Sequence, residues 1–400
     1  MRLLHTSDWH LGKSLSGTSR LAEHTAFADE VVALCDDEGV DLVLLTGDVF
    51  DTYNPPIDAE ELFFETMARL GDGGRRAVVV IAGNHDSPDR LSAAVPLAAS
   101  HGVWILGRPH DVPRGQPRGE GRVKLLDAGP SRLLLGLPCG EKAHVAALPY
   151  PSEARLKQLL AGSLEERGMQ RAYSERIGTL LSELAAHAPP DAVSLAASHL
   201  AITSCMPSES ERALVGGAYQ VDPQHLPEVA YTALGHLHQA QQVVGAPGLA
   251  RYAGGPLSFR MSEREHPHTH SLIDVIAGGQ PTLREVEVAA GKPLVLWEAS
   301  SVADVVQAVD EGAHQGALIE LRLTVPDRLS HAEMAVLQKL PRTFLRIRVQ
   351  LPEAGSEPVE RRLHALPPTE LFASFYRQQQ GTEPSAEIVE LFASLLEASS

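Results

Sequence analysis

The chain has little of what would place it in several large protein classes. Its three cysteines, Cys35, Cys139 and Cys205, lie far apart and form no C-x-x-C pair, which excludes a disulfide framework and a zinc knuckle. No apolar run approaches the roughly 18 residues of a membrane span. The opening MRLLHTSD brings an acid at position 8, where a secretory leader would be apolar, so a cytoplasmic protein is expected. Positive charge is short as well: 34 Lys and Arg against 51 Asp and Glu give a net charge of −17. That is the wrong sign for gripping phosphate backbones by charge alone, so a nucleic-acid substrate requires metal ions, local basic patches or a partner. What remains is a composition 44% hydrophobic in 400 residues, globular and too long for one core, which predicts two or three domains.

The chemistry begins where short apolar runs stop. In DLVLLTGDVFD, Leu42 to Leu45 form a hydrophobic segment with no room for a helix, a strand buried on both faces, and Asp48 sits at its exit. Leu3 to Ser7 reads as a first strand. Asp8 and His10 follow it at a spacing of two, which places both side chains on one side of an extended backbone. Helical periodicity over Ser19 to Glu38, stopped by Gly39, and over Asp58 to Leu70 separates three strands. The third, Ala77 to Ala82, exits at G-N-H-D, and Ser87 and Pro88 open a helix behind it.

Arg108 to Gly129 is rich in Gly, Pro and Arg and reads as a loop inserted between strands; its arginines either meet a phosphate backbone or are simply solvated. Strands follow at Leu133 to Leu137 and Val145 to Leu148, then a longer helix at Leu164 to His187. Val193 to Ser198 exits at His199, and Val229 to Gly235 exits at His236 and His238. Gln241 to Val244, Arg251 to Phe259 and Leu272 to Val275 read as closing antiparallel strands. HPHTH, with His266, His268 and His270, lies in a Pro-broken loop without a carboxylate at strand-exit spacing and is not read as a metal site.

Asp8, His10, Asp48, Asn84, His199, His236 and His238 thus leave the same kind of element at the same end, and in a mostly parallel sheet such ends share one edge. Seven N/O ligands without a thiolate exceed the needs of one ion. With Asp48 bridging, the set suits two divalent ions such as Mn²⁺, the arrangement used for displacement at phosphorus. His85 is spare in that count, free to stabilise the transition state or protonate the leaving oxygen. Asp51 or Asp86 can orient it, and Asp51 reads equally well as a turn carboxylate.

The blocks D-W-H, G-D-V-F-D, G-N-H-D, S-H and G-H-L-H, in that order, resemble the calcineurin-type metallophosphoesterase signature. HTSDWHLG, LGHLHQ and YAGGPLSF resemble the nuclease-subunit branch of that family, which acts in double-strand-break repair, strongly from Met1 to about Val275. Gly255 stands where that branch more often has serine, which leaves the metal set untouched. The resemblance implies an α/β fold: a β-sandwich flanked by helices, a small α/β capping domain and C-terminal helices. It implies that Asp8, His10, Asp48 and His238 hold one ion, that Asp48, Asn84, His199 and His236 hold the other, and that His85 is the catalytic histidine. It also implies DNA as substrate, a homodimer, and a coiled-coil SMC-like ATPase as partner. A small-molecule phosphodiesterase or a phosphoprotein phosphatase shares the same core, and a scaffold without catalysis would lack a ligand.

The domains expected are 1–278 for the nuclease, 279–351 for the cap, 352–368 for a linker and 369–400 for a helical tail. In the tail Leu371, Phe372, Phe375 and Tyr376 form one apolar stripe, and Ile388, Leu391, Phe392, Leu395 and Leu396 a second. These stripes either fold back on the chain or dock in a groove of the ATPase. The helices Asp58 to Leu70 and Pro88 to Ser100, with Phe63, Phe64 and Met67, are the expected dimer contact.

Overall fold

The computed structural model describes residues 1–151, 166–206, 219–341 and 343–351, together with Phe372, Tyr376, Pro384, Ser385 and Ile388. The expected linker 352–368 lies outside the described residues, as do both tail stripes apart from Phe372, Tyr376 and Ile388.

Runs of Val, Ile and Leu dictate the central strands. Leu42–Thr46 and Ala77–Ile81 are buried along their whole length, as strands covered on both faces must be. They pair in parallel with each other and with Arg2–Thr6 and Val103–Leu106, and Thr269–Asp274 and Thr282–Glu287 complete a six-stranded sheet in antiparallel register. A seven-stranded sheet is built around four parallel strands, Leu249–Tyr252, Tyr231–Gly235, Val193–His199 and Lys142–Leu148, with antiparallel strands at both edges.

Because side chains alternate across a strand, each central strand feeds two cores. Leu3, Leu42, Leu44, Val79 and Ile81 of the first sheet meet Val145, Leu195, Ala197 and Ala233 of the second, so the sheets lie face to face. Leu4, Val43, Leu45, Val78 and Val80 point the other way, onto Phe27 and Val31 of helix α1 (Leu21–Asp37) and Phe63 and Met67 of helix α2 (Ile57–Leu70). Helix α1 ends as its sequence requires, with Gly39 at φ 61° and the Val40 N–H returning to the Cys35 carbonyl. The outer face of the second sheet is covered by Tyr173, Ile177 and Leu181 of helix Glu166–Ala185. The result is the expected α/β class, a helix-flanked β-sandwich.

A second unit follows, with parallel strands Leu294–Ala299, Leu318–Thr324 and Phe344–Gln350. Its helices Val302–Asp310 and His331–Leu337 start at Ser301 and Ser330, whose hydroxyls accept the Asp304 and Glu333 N–H groups. Val305, Leu321, Leu323 and Leu337 form its core.

The structure corrects four expectations. The boundary at 278/279 moves, because Thr282–Glu287 pairs along its full length with Thr269–Asp274 and belongs to the first sheet. The strand expected over Arg251 to Phe259 ends at Tyr252, and residues 253–259 form a loop. The helix expected over Pro88 to Ser100 is a series of short turns, with Pro96 interrupting the backbone ladder. Phe63 and Met67 are in the core of their own chain, so they cannot serve a dimer; Phe64 is only partly buried there, and Ile57 and Leu97 are the large apolar side chains those segments expose.

Candidate metal centre

Both sheets run their parallel strands toward the same edge, and each candidate ligand ends or follows such a strand. Asp8, His10, Asp48 and Asn84 come from the first sheet; His199, the last residue of its strand, His236 and His238 come from the second. The approach is not the extended one the spacing predicts. Asp8 (φ 52°), His10 (φ 45°), Asp48 (φ 47°) and His236 (φ 106°) all take left-handed backbone conformations, which are costly for residues with a side chain and persist only when the surroundings impose them. Here the imposition is visible. The Asp8 and His10 N–H groups donate to the Gly47 and Asp48 carbonyls, and Leu11 N–H to Val49 O, so the two loops are zipped together. The His236 N–H donates to the Asp8 carboxylate, 3.1 Å to Oδ1, tying the second sheet to the first.

The glycine before a ligand is a spatial requirement at three of these exits. A Cβ on Gly47 would stand 2.3 Å from His199 Nδ1, on Gly83 2.1 Å from Asp48 Oδ1, and on Gly235 1.9 Å from the Thr46 carbonyl. The repeated glycine in G-D, G-N and G-H is legible in the sequence; what each one makes room for is not.

The expected residues converge. His10 Nε2 is 3.1 Å from His238 Nε2 and 3.6 Å from Asp48 Oδ2. His199 Nε2 is 2.9 Å from Asn84 Oδ1 and 3.5 Å from Asp48 Oδ2, and His236 Nδ1 is 3.0 Å from the same amide oxygen. Asp8, His10 and His238 form one group of mutually close ligand atoms, and Asp8, Asp48 and His199 another.

Two of these side chains have their outer atoms occupied. His199 Nδ1 donates to the Thr46 carbonyl at 2.8 Å and His238 Nδ1 donates to Glu263 Oε1 at 3.3 Å, whereas His10 Nδ1 lies 3.3 Å from Asp51 Oδ1 without a hydrogen bond between them. A proton held at Nδ1 leaves the lone pair at Nε2. The Nε2 lone pairs of His199 and His238, two buried carboxylates and an amide oxygen then face one another, acceptor against acceptor, beside His10 Nε2 and His236 Nδ1, which is a cage for cations. The charge balance agrees. Burial alone would lower the His199 imidazole, but Asp48 beside it outweighs burial and pushes it up to about 9. Burial, opposed by His199 and aided by Asp48, raises the Asp8 carboxyl to about 7. Without other cations the site draws in protons, and hard divalent ions suit the same O/N donors.

His85 stands beside this cage. Its backbone N–H donates to Asp48 Oδ1 at 2.9 Å and its Nδ1 to the Asp51 carbonyl at 2.7 Å, with its ring edge-on to His10 at 4.9 Å. The orienting group is therefore the Asp51 backbone oxygen. The Asp51 carboxylate faces His10 and accepts from Lys13 Nζ at 2.5 Å. The Asp86 carboxylate accepts from the Gly83, Val49 and Phe50 N–H groups. Asp86 is thus no orienter of His85, a correction: it binds the G-N-H-D loop to the G-D-V-F-D loop and is spoken for by three backbone donors.

Two participants escaped the sequence reading. Glu263, 1% exposed, aims His238 from a polar stretch, M-S-E-R-E, that looks like surface. Tyr150 packs its ring against His199 and His236 and carries no motif. Of the three histidines of HPHTH, His268 bonds the Gly255 carbonyl through Nδ1 and Ser258 Oγ through Nε2, both at 2.8 Å, and His270 lies in the strand Thr269–Asp274 rather than in the expected loop.

The family model for calcineurin-like phosphoesterases matches residues 1–240. The chain is 39% identical over 400 residues to the SbcD component of the nuclease SbcCD from Bacillus subtilis, covering 99% of this chain and 97% of that one. It is 34% identical to the SbcD component from Rhodobacter capsulatus, with 82% and 77% covered, and 28% identical to that of Escherichia coli K12, with 87% and 85% covered.

Proposed function

The chain belongs to the calcineurin-like phosphoesterase family, and from that premise we propose that it is a metal-dependent DNA nuclease, the nucleolytic component of an SbcCD-type complex. The reading is carried by the coincidence of a relative similar over nearly the whole chain, second unit included, with a cage in which no candidate ligand is missing. A small-molecule phosphodiesterase or phosphatase is not favoured, since the relatives that share the region beyond the core are nucleases.

Asp8, His10, Asp48 and His238 would hold one divalent ion and Asp48, Asn84, His199 and His236 a second, with Mn²⁺ the fitting choice. Such ions supply positive charge that polarises a phosphodiester and makes a nucleophilic water available near neutral pH. Carrying that charge, the site overcomes locally the net −17 of the chain. Asp48 sets the spacing of the two halves, and Glu263 holds the tautomer of His238. His85, with Nδ1–H committed to the Asp51 carbonyl, presents Nε2 to deliver a proton to the leaving oxygen.

The finer reading is exonuclease action on double-strand ends and endonuclease action on single strands and hairpins. It includes a homodimer and docking of the tail's apolar stripes on an SbcC-like SMC ATPase. The decisive assay compares Mn²⁺-dependent cleavage of linear duplex and hairpin DNA with that of a chromogenic phosphodiester. Efficient turnover of the small ester with no cleavage of either DNA refutes the reading.

A further inference from the structure

Two glutamates seven residues apart on α1 grip the connection between the two units. Glu30 Oε1 accepts the Ala289 N–H at 2.9 Å, and Glu23 Oε1 accepts the Lys292 N–H at 2.8 Å. Glu23 is buried, and both its oxygens are also bound by Arg20, Nε to Oε2 at 2.6 Å and Nη2 to Oε1 at 2.7 Å. Arg20 is 1% exposed. A buried ion pair contributes little to stability over well-packed apolar residues, so its other contacts matter. The third arm, Nη1, donates to the Ser258 carbonyl at 2.7 Å.

From Ser258 the path to the metal centre is short. Phe259 packs edge-on against His10 and His238, with ring centroids 5.0 and 5.3 Å away. The Phe259 N–H donates to Glu263 Oε2 at 2.7 Å, and the other oxygen of Glu263 accepts from His238 Nδ1. The loop has no slack: a Cβ on Gly255 would stand 2.9 Å from the Phe259 ring, and one on Gly291, in the connection itself, 3.1 Å from Leu257.

We infer that Arg20 and Glu23 are positioning residues that set the 255–263 loop, and through Phe259 and Glu263 the aim of His238, from the joint between the two units. The inference rests on the reading that His238 holds a metal ion. Arg20 is suited to the task because its planar fork spans the Glu23 carboxylate and the Ser258 carbonyl at once, which a lysine ammonium on a flexible stem cannot do. A shift of the second unit at Lys292 then reaches His238 through five hydrogen-bonded steps, Lys292 to Glu23, Glu23 to Arg20, Arg20 to Ser258, Phe259 to Glu263 and Glu263 to His238.

The test is Mn²⁺ titration of the metal-free full-length protein by calorimetry. Wild type is expected to bind in two steps. Arg20→Lys should weaken one step about 10-fold, as loss of outer support to a ligand does, and leave the other within about twofold. Lys292→Pro keeps the Arg20–Glu23 pair and removes the N–H facing Glu23, together with the exposed lysine side chain and with φ fixed by the ring; it should weaken the same step by about 2- to 30-fold. A lowered unfolding midpoint with both steps unmoved, or equal weakening of both steps, overturns the inference. Should Arg20→Lys not fold, Lys292→Pro decides alone. A wild-type chain that binds no Mn²⁺ refutes the metal reading itself, whereas two wild-type steps unmoved by either variant refute only the positioning role.

Discussion

Gly83→Ala isolates the geometry of the shared carboxylate. Gly83 does not adopt a positive φ, so alanine can take its backbone, and the whole effect must come from one added methyl. That methyl would stand 2.1 Å from Asp48 Oδ1 and 2.3 Å from the Asp48 backbone nitrogen, where ordinary contact begins at 3.4 Å. The carboxylate must retreat by about 1.3 Å, and the backbone atom, held in a left-handed conformation by the zipped loops, cannot swing aside. Overpacking of this kind costs about 1–3 kcal/mol. A displacement near 1 Å at a reacting centre costs about 10²-fold in rate. Urea unfolding should therefore show a loss of about 1–3 kcal/mol, Mn²⁺ stoichiometry should fall at both positions if Asp48 serves both as proposed, and cleavage of linear duplex should drop about 100-fold. Gly140→Ala is the control: nothing lies within 4 Å of its Cβ, and its φ of 96° makes the change strained but remote, so stability should fall without any change in metal binding. Two ions bound to Gly83→Ala at wild-type affinity, with activity within about twofold, would refute the argument that this glycine makes room for the bridging group.

Metal analysis of Asp48→Ala should find both ions lost; retention of two would remove Asp48 from the bridging position. His85→Ala should slow the chemical step by roughly 10²- to 10⁴-fold with metal and DNA binding intact, and equal losses of Mn²⁺ affinity and turnover would make His85 a ligand instead. Glu263→Gln cannot accept from both the Phe259 N–H and His238 Nδ1, so affinity for the ion held by His238 should fall about 10- to 100-fold, checked by calorimetry against the exposed Glu265→Gln. His270, stacked on Phe27 with Nε2 unpaired, is pushed down to about 4 by burial. A depressed histidine is neutral in the folded state, so its contribution is complete above the unfolded pKa near 6.5 and is lost as pH falls toward 4. Between pH 7 and 5 the loss is about 2 kcal/mol, and urea midpoints of His270→Phe should show a correspondingly shallower fall; an unchanged slope would place the acid sensitivity elsewhere.

The sequence by itself determined the chemistry of the cage. Short Val, Ile and Leu runs can only be buried strands, and the Asp, Asn and His residues at their exits were legible one by one because burial and ligand type are local properties. Helices α1 and α2 were legible for the same reason. Tertiary structure decided which exits meet. Asp8 and His236 are 228 positions apart and belong to different sheets, and no periodicity says that two sheets will stack with their parallel strands running toward one edge. It also decided the outer partners. Asp86 looked like an orienter of His85 and is consumed by three backbone donors, while Glu263 looked like surface and aims His238. Thr282–Glu287 read as the start of a new domain and proved to be the last strand of the first sheet. In each case a side chain or strand was recognisable from its neighbours in sequence, but its hydrogen-bond partner was set by packing between segments tens to hundreds of residues apart, which local propensity does not encode.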